Sequence, residues 1–127
     1  MYEQLLNANM AKMQKKSLNP RVETHPFDKG KVELANLSDV TISKATLERG
    51  WSWEKCVKPV VKINSRQPPY TQYIISGRIR VRMDAGEEEV GSGVVGVVPH
   101  GYNGRIVGNE PLVSIDFTGM KEYAKKQ

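Results

Sequence analysis

The chain has 127 residues, 39% hydrophobic and 26% charged, with a formal net charge of +5; that is one domain with enough chain to bury a core, and neither a disordered nor a membrane-embedded composition. A single cysteine, Cys56, excludes an internal disulfide framework and a multi-cysteine metal site. The basic excess lies at the two ends: residues 1–31 carry six Lys/Arg against three acids and residues 121–127 three against one, while 32–120 balance at ten of each, so no nucleic-acid partner is expected.

In chain order, Glu3 to Lys16 place Leu6, Met10 and Met13 at helical spacing among polar residues, which predicts a short N-terminal helix stopped at Asn19-Pro20. After Pro20 the period changes. Short alternating runs at Val32–Leu34, Thr41–Leu47, Tyr73–Ile75, Arg78–Met83, Val94–Val98 and Leu112–Phe117 predict strands. Turn residues separate them, at Asp28-Lys29-Gly30, Arg49-Gly50, Ser76-Gly77, Asp84-Ala85-Gly86, Gly91-Ser92-Gly93 and Gly101. Many short strands closed by glycine turns predict an all-β antiparallel sandwich or barrel. Three regions are expected: a helical extension over 1–22, a β-barrel over 23–119 and a tail over 120–127.

In the strand Arg78–Met83, Arg78, Arg80 and Arg82 alternate with Ile79, Val81 and Met83, and Glu87-Glu88-Glu89 follow at once. A hairpin would pair these acids with the arginines, giving a solvated, charge-paired face rather than a phosphate-binding one. No apolar run approaches the length of a membrane span, and no charged-then-apolar leader opens the sequence, so a cytoplasmic location and no membrane partner are expected.

Four segments together resemble the cupin superfamily. Gly93-Val-Val-Gly-Val-Val-Pro99-His-Gly101 is similar to the core of the second cupin motif, and Tyr70-Thr-Gln-Tyr-Ile-Ile-Ser-Gly77 to the end of the first. Glu48-Arg-Gly-Trp51-Ser-Trp53-Glu-Lys-Cys-Val57-Lys-Pro59, with Gly108-Asn-Glu-Pro111, resembles a group of small single-domain cupins. The resemblance runs from about Glu23 to Tyr123. It implies a double-stranded β-helix, or jelly roll, and by analogy with related cupins a homodimer.

It also implies a metal site that this chain does not match. Cupin metal ligands are two histidines and a glutamate from the first motif and a histidine from the second. The glutamate position falls on Tyr70, the two histidines on Asn64 and Arg66 or on Ile63 and Ser65, and the second-motif histidine on Gly104. In the small group a histidine is expected at 70 and directly after the proline-x-glycine, where this chain has Tyr70 and Tyr102. The only histidines are His25 and His100, and an arginine at 66 would repel a cation. The expectation is therefore a cupin with no metal cofactor.

Alternation along the strand puts Tyr70, Gln72 and Ile74 on one face, which the resemblance turns toward the cavity. Tyr102 would approach the same cavity, and Arg66 shares the face if the strand is regular. Trp53 would add a wall. Tyr70, Tyr102, Gln72, Arg66 and Trp53 are thus the candidate ligand-binding residues, suited to a small, anionic organic molecule: the guanidinium pairs the anion and the phenols donate. Plainer roles stand beside these. Trp51 and Trp53 would share a strand face in the core, Arg66 would pair with Glu54 or Asp116 at the surface, and Cys56 would be a small buried hydrophobe. Two other functions remain open: a metal-dependent dioxygenase or isomerase with atypical ligands, and an interaction protein with a vestigial pocket that docks through residues 3–16.

Overall fold

A computed structural model describes residues 12–18, 22–38, 40–57, 70–98 and 103–117. Among these residues, nine strands and one short helix follow in the order β1 (Glu23–Phe27), β2 (Gly30–Asn36), β3 (Thr41–Leu47), α1 (Trp53–Cys56), β4 (Tyr70–Ser76), β5 (Arg78–Met83), β6 (Gly86–Gly91), β7 (Val95–Val98), β8 (Asn103–Val107) and β9 (Leu112–Asp116). They form a six-stranded sheet ordered β1-β2-β3-β9-β4-β7 and a three-stranded sheet ordered β6-β5-β8, antiparallel throughout. The last strand is inserted between β3 and β4, far from both in sequence, so the larger sheet closes only when the whole domain has formed. Among the described residues, no helix is long and apolar enough to cross a membrane.

Alternation does the sorting. On β3, Ser43, Ala45 and Leu47 point inward and are buried, as are Leu112, Ser114 and Asp116 on β9. From the smaller sheet Ile79, Val81 and Ile106 meet Val32, Leu34, Ile74 and Leu112 in one core. Trp51, Cys56 and Val57 close that core from the side. Burial raises the Cys56 thiol above its ordinary pKa, so it behaves as a small apolar group and not as a nucleophile.

The three strands that the sequence pattern passes over are explained by pairing. β1 contains Pro26, tolerable on an edge strand, and gains its order from β2. β6, with its three consecutive glutamates, has no hydrophobic alternation of its own and is a strand because β5 lies beside it. There Arg80 and Arg78 donate to Glu89 at 2.7 and 3.1 Å, and Arg105 of β8 donates to Glu87 at 3.2 Å. The expected paired face is present, and β8 joins it. Arg80 and Arg105 are direct cross-strand partners of like charge, and Glu87 pairs with both, at 3.9 and 3.2 Å.

Two expectations change. Residues 12–16 are not helical: the Gln14 amide donates to Ser38 Oγ at 2.6 Å and accepts from Ser38 N–H at 2.9 Å, while Met13 is 85% exposed with no core to join. The remainder of the expected helix and the 120–127 tail lie outside the described residues. Trp51 and Trp53 do not share a strand face. Ser52 caps α1 by accepting from Lys55 N–H, which turns Trp53 onto the helix while Trp51 stays buried before it.

Gly77 joins β4 to β5 at φ +83°, and a Cβ there would lie 2.5 Å from Pro111 O and 2.7 Å from Leu112 Cα. Gly93 has nearly the same φ, +85°, but open space around it. Gly93→Ala should cost only the left-handed strain of about 1 kcal/mol, and Gly77→Ala more than about 2 kcal/mol, because backbone must move as well. Urea unfolding of both variants measures the difference. The arginines hold Glu87 and Glu89 below the usual carboxylate range, chiefly through the hydrogen bonds from Arg105 and Arg80. Their contribution is present above the ordinary glutamate pKa and lost as pH falls through the lowered values. A Glu87→Gln/Glu89→Gln variant should therefore lose part of its stability at neutral pH and show a shallower acid-side decline, which urea midpoints across pH will reveal.

Candidate functional site

The inward face of the larger sheet changes character along its strands. One cross-strand row reads Val32, Ala45, Ser114, Ile74; the next reads Leu34, Ser43, Asp116, Gln72, Gly96. The first is mostly apolar. The second brings a hydroxyl, a carboxylate and an amide side by side on β3, β9 and β4. Ser43 and Asp116 are fully buried and Ser114 is 1% exposed. A buried polar side chain is normally hydrogen-bonded, yet Ser43 Oγ has no partner among the described residues, nor has Trp51 Nε1.

Gly96 ends this row. Val95 and Val97 point outward and are 64% and 63% exposed, so Gly96 faces in, beside Gln72. Among the described residues, a Cβ built there would meet only Val90 Cγ1, at 3.9 Å, so these residues leave space next to the amide. β7 thus presents bare backbone where a larger side chain would fill the interior.

Of the sequence-derived candidates, Gln72 lies in the polar row, and β4 starts at Tyr70, paired with Val98 one step further along. Trp53 is on α1, half-buried and packed against the core, on the side of the smaller sheet. The helix is tied there by the Ser52–Arg105 bridge and by Asn103, which accepts from Glu54 N–H at 3.3 Å and donates to Glu54 Oε1 at 3.0 Å. Arg66, Tyr102 and His100 lie outside the described residues. Asp116, expected at the surface, is instead a fully buried inward carboxylate. The sequence reading missed Ser43 as a site residue and took Asp116 for a surface group; the one signal for their inward orientation is strand parity with the core residues Leu47 and Leu112.

The donor set of the described residues does not fit a transition metal. Among the described residues, no three His, Cys, Asp or Glu side chains lie close enough together to hold one. His25 is on β1, separated from β4 by three intervening strands, roughly 19 Å at ordinary strand spacing, and its Nε2 pairs with Glu23 at 2.8 Å. The second-motif ligand position, Gly104, is buried, and a Cβ there would already meet Ile79 Cδ1 at 3.2 Å. Ile79 occupies the volume that an inward histidine at 104 would need. One carboxylate, one amide and two hydroxyls suit an organic molecule better than a metal ion. An outer groove of about 310 Å³ beside Arg78 and Glu110 is a weaker candidate, because Arg78 is engaged with Glu89 and Glu110 accepts from Gly77 N–H.

No family model and no curated protein matches the chain. Solved structures do. Oxalate decarboxylase from Lactobacillus farciminis, in its formate complex, is 18% identical with a TM-score of 0.56 over 77% of this chain and 31% of its own. Oxalate decarboxylase from Bacillus subtilis at pH 4.6 is 24% identical with a TM-score of 0.51, over 76% and 27%. A protein of unknown function from Acinetobacter sp. ADP1 is 17% identical with a TM-score of 0.50, over 70% and 80%. The chain spans less than a third of either decarboxylase. At these identities the likeness is one of fold, and with the two antiparallel sheets it defines a small protein of the cupin fold.

Ser43→Ala removes a buried hydroxyl with no partner and should leave the empty protein as stable as the parent, or more stable by up to about 1 kcal/mol. A loss of 2 kcal/mol or more on urea unfolding would mean that the hydroxyl is satisfied within the fold.

Proposed function

We propose that this chain binds a small organic molecule on the inward face of its larger sheet, and that it does so without a resident metal. The observation that carries the reading is the unpartnered, fully buried hydroxyl of Ser43 in a row with Asp116 and Gln72, ending at the space beside Gly96. A ligand supplies the hydrogen-bond partner that Ser43 lacks. The carboxylate of Asp116 accepts, so the ligand group beside it carries N–H or O–H, while Gln72 can donate or accept. An anionic group at the other end of the ligand is the role assigned to Arg66, with Tyr70 and Tyr102 as hydroxyl donors. Binding is preferred to catalysis because the buried Asp116 is the one carboxylate in the row, and among the described residues no cluster of acids and histidines is assembled there to share a proton cycle.

Gly96→Leu would fill the space beside Gln72 while leaving the outward valines in place. In a thermal-shift screen of small hydroxy- and amino-carboxylic acids, a compound that stabilises the parent should fail to stabilise Gly96→Leu, and Ser43→Ala should weaken its affinity about tenfold, the value of one hydrogen bond. Equal stabilisation of all three proteins would place binding elsewhere and defeat the proposal.

A further inference from the structure

The outer groove beside Arg78 lies where the chain crosses between the two sheets. The turn that carries β4 into β5 meets the loop that carries β8 into β9, and a glycine on each side lets them pack. Gly77 admits the backbone of Pro111 and Leu112. Gly108, at φ +85°, admits the Arg78 guanidinium: a Cβ there would lie 2.9 Å from Nη2. The bonds that engage the two charged groups of the groove also hold them in place. Among the described residues Arg78 donates through Nη1, to Glu89 at 3.1 Å, which leaves Nη2 and Nε as donors. Glu110 accepts from Gly77 N–H through Oε1 at 3.1 Å, which leaves Oε2 as an acceptor. With Val107, Gly108 and Asn109 these two side chains line about 310 Å³, a volume in the range of small-molecule sites. Among the described residues no ion pair joins Arg78 to Glu110, although both line the groove.

We propose that this groove is a second binding site, separate from the inward face, and that it takes a small zwitterion of the amino-acid class. The ligand carboxylate pairs with Arg78 and its ammonium with Glu110, while the Asn109 amide can donate or accept and Val107 offers apolar contact. The two charges select the ligand by what they reject. A simple anion gains Arg78 but is set against Glu110 and Glu89; a simple cation gains Glu110 but is set against Arg78. A molecule that carries both charges satisfies both side chains. Glu89 keeps its bond to Nη1, so the ligand takes donors that the fold does not use. The site uses neither Ser43, Gln72 nor Asp116, so it does not depend on the ligand proposed for the interior.

Heteronuclear NMR titration of the full chain with L-leucine tests it, because amide shifts report where the probe binds. Saturable shifts should appear at Gly77, Arg78, Gly108, Asn109 and Glu110. Leucinamide, which lacks the carboxylate, and isocaproate, which lacks the ammonium, should each bind at least about tenfold more weakly. Glu110→Gln keeps an acceptor for Gly77 N–H but not the charge, and should weaken L-leucine about tenfold. The probe comparison is made on the unmutated chain, so the result does not rely on a variant folding. Equal affinity for the three probes, or for L-leucine in parent and Glu110→Gln, overturns the proposal. So does the absence of saturable shifts in the groove; shifts confined to Ser43, Gln72 and Gly96 would assign the amino acid to the interior row instead.

Discussion

The pairing of β9 between β3 and β4 is the constraint on which the rest of the molecule depends. It joins residues about 70 positions apart along the chain, Ser43 with Asp116, and it sets the parity of every inward side chain on the three strands. A slip of one residue would turn Asp116 and Ser114 to solvent and bring Val113 and Ile115 inside. The register that buries Leu112 against Leu47 is therefore the register that buries a carboxylate. Stability comes from the apolar end of the strands, and the same pairing holds the polar row in place at the other.

The two faces of this sheet have separate chemistry. Inside, the interior is apolar around Ile74 and Leu112 and becomes polar one residue pair further along, with Gly96 leaving space at the end of the row. Outside, the same strands present valine, isoleucine, tyrosine and phenylalanine to solvent. The smaller sheet differs from both, with apolar residues inside and paired charges outside. Ile79 from that sheet occupies the room beside Gly104, so the cupin fold here places a hydrocarbon where the family resemblance puts a ligand histidine. Restoring a histidine at that one position would require the core to repack.

Much of the fold was legible from sequence. Thr41–Leu47 and Arg78–Met83 coincide with strands because their alternation is uninterrupted, and the glycines at 50, 77 and 93 mark turns that need positive φ. The strands that were missed have little hydrophobic period of their own. Glu23–Phe27 and Gly86–Gly91 become strands because β2 and β5 offer them a partner, a tertiary effect that local pattern does not carry. The helical spacing over 3–16 misled for residues 12–16, where Gln14 is bonded to Ser38 instead of lying in a helix. At the site, parity put Gln72 on the same face as Ile74, and the family resemblance turned that face inward. Ser43 and Asp116 were overlooked because each sits in a strand that reads as core, and only the cross-strand register shows them to be neighbours.

The central claim is that the inward face receives an organic molecule and not a metal ion. Elemental analysis of the folded chain, purified without a metal-binding tag, tests it most directly. The donor set of one carboxylate, one amide and two hydroxyls, with Ile79 beside Gly104, predicts transition-metal content far below one ion per chain. A content close to one ion per chain would contradict the account, and would assign the cavity to metal chemistry with ligands drawn from beyond the polar row.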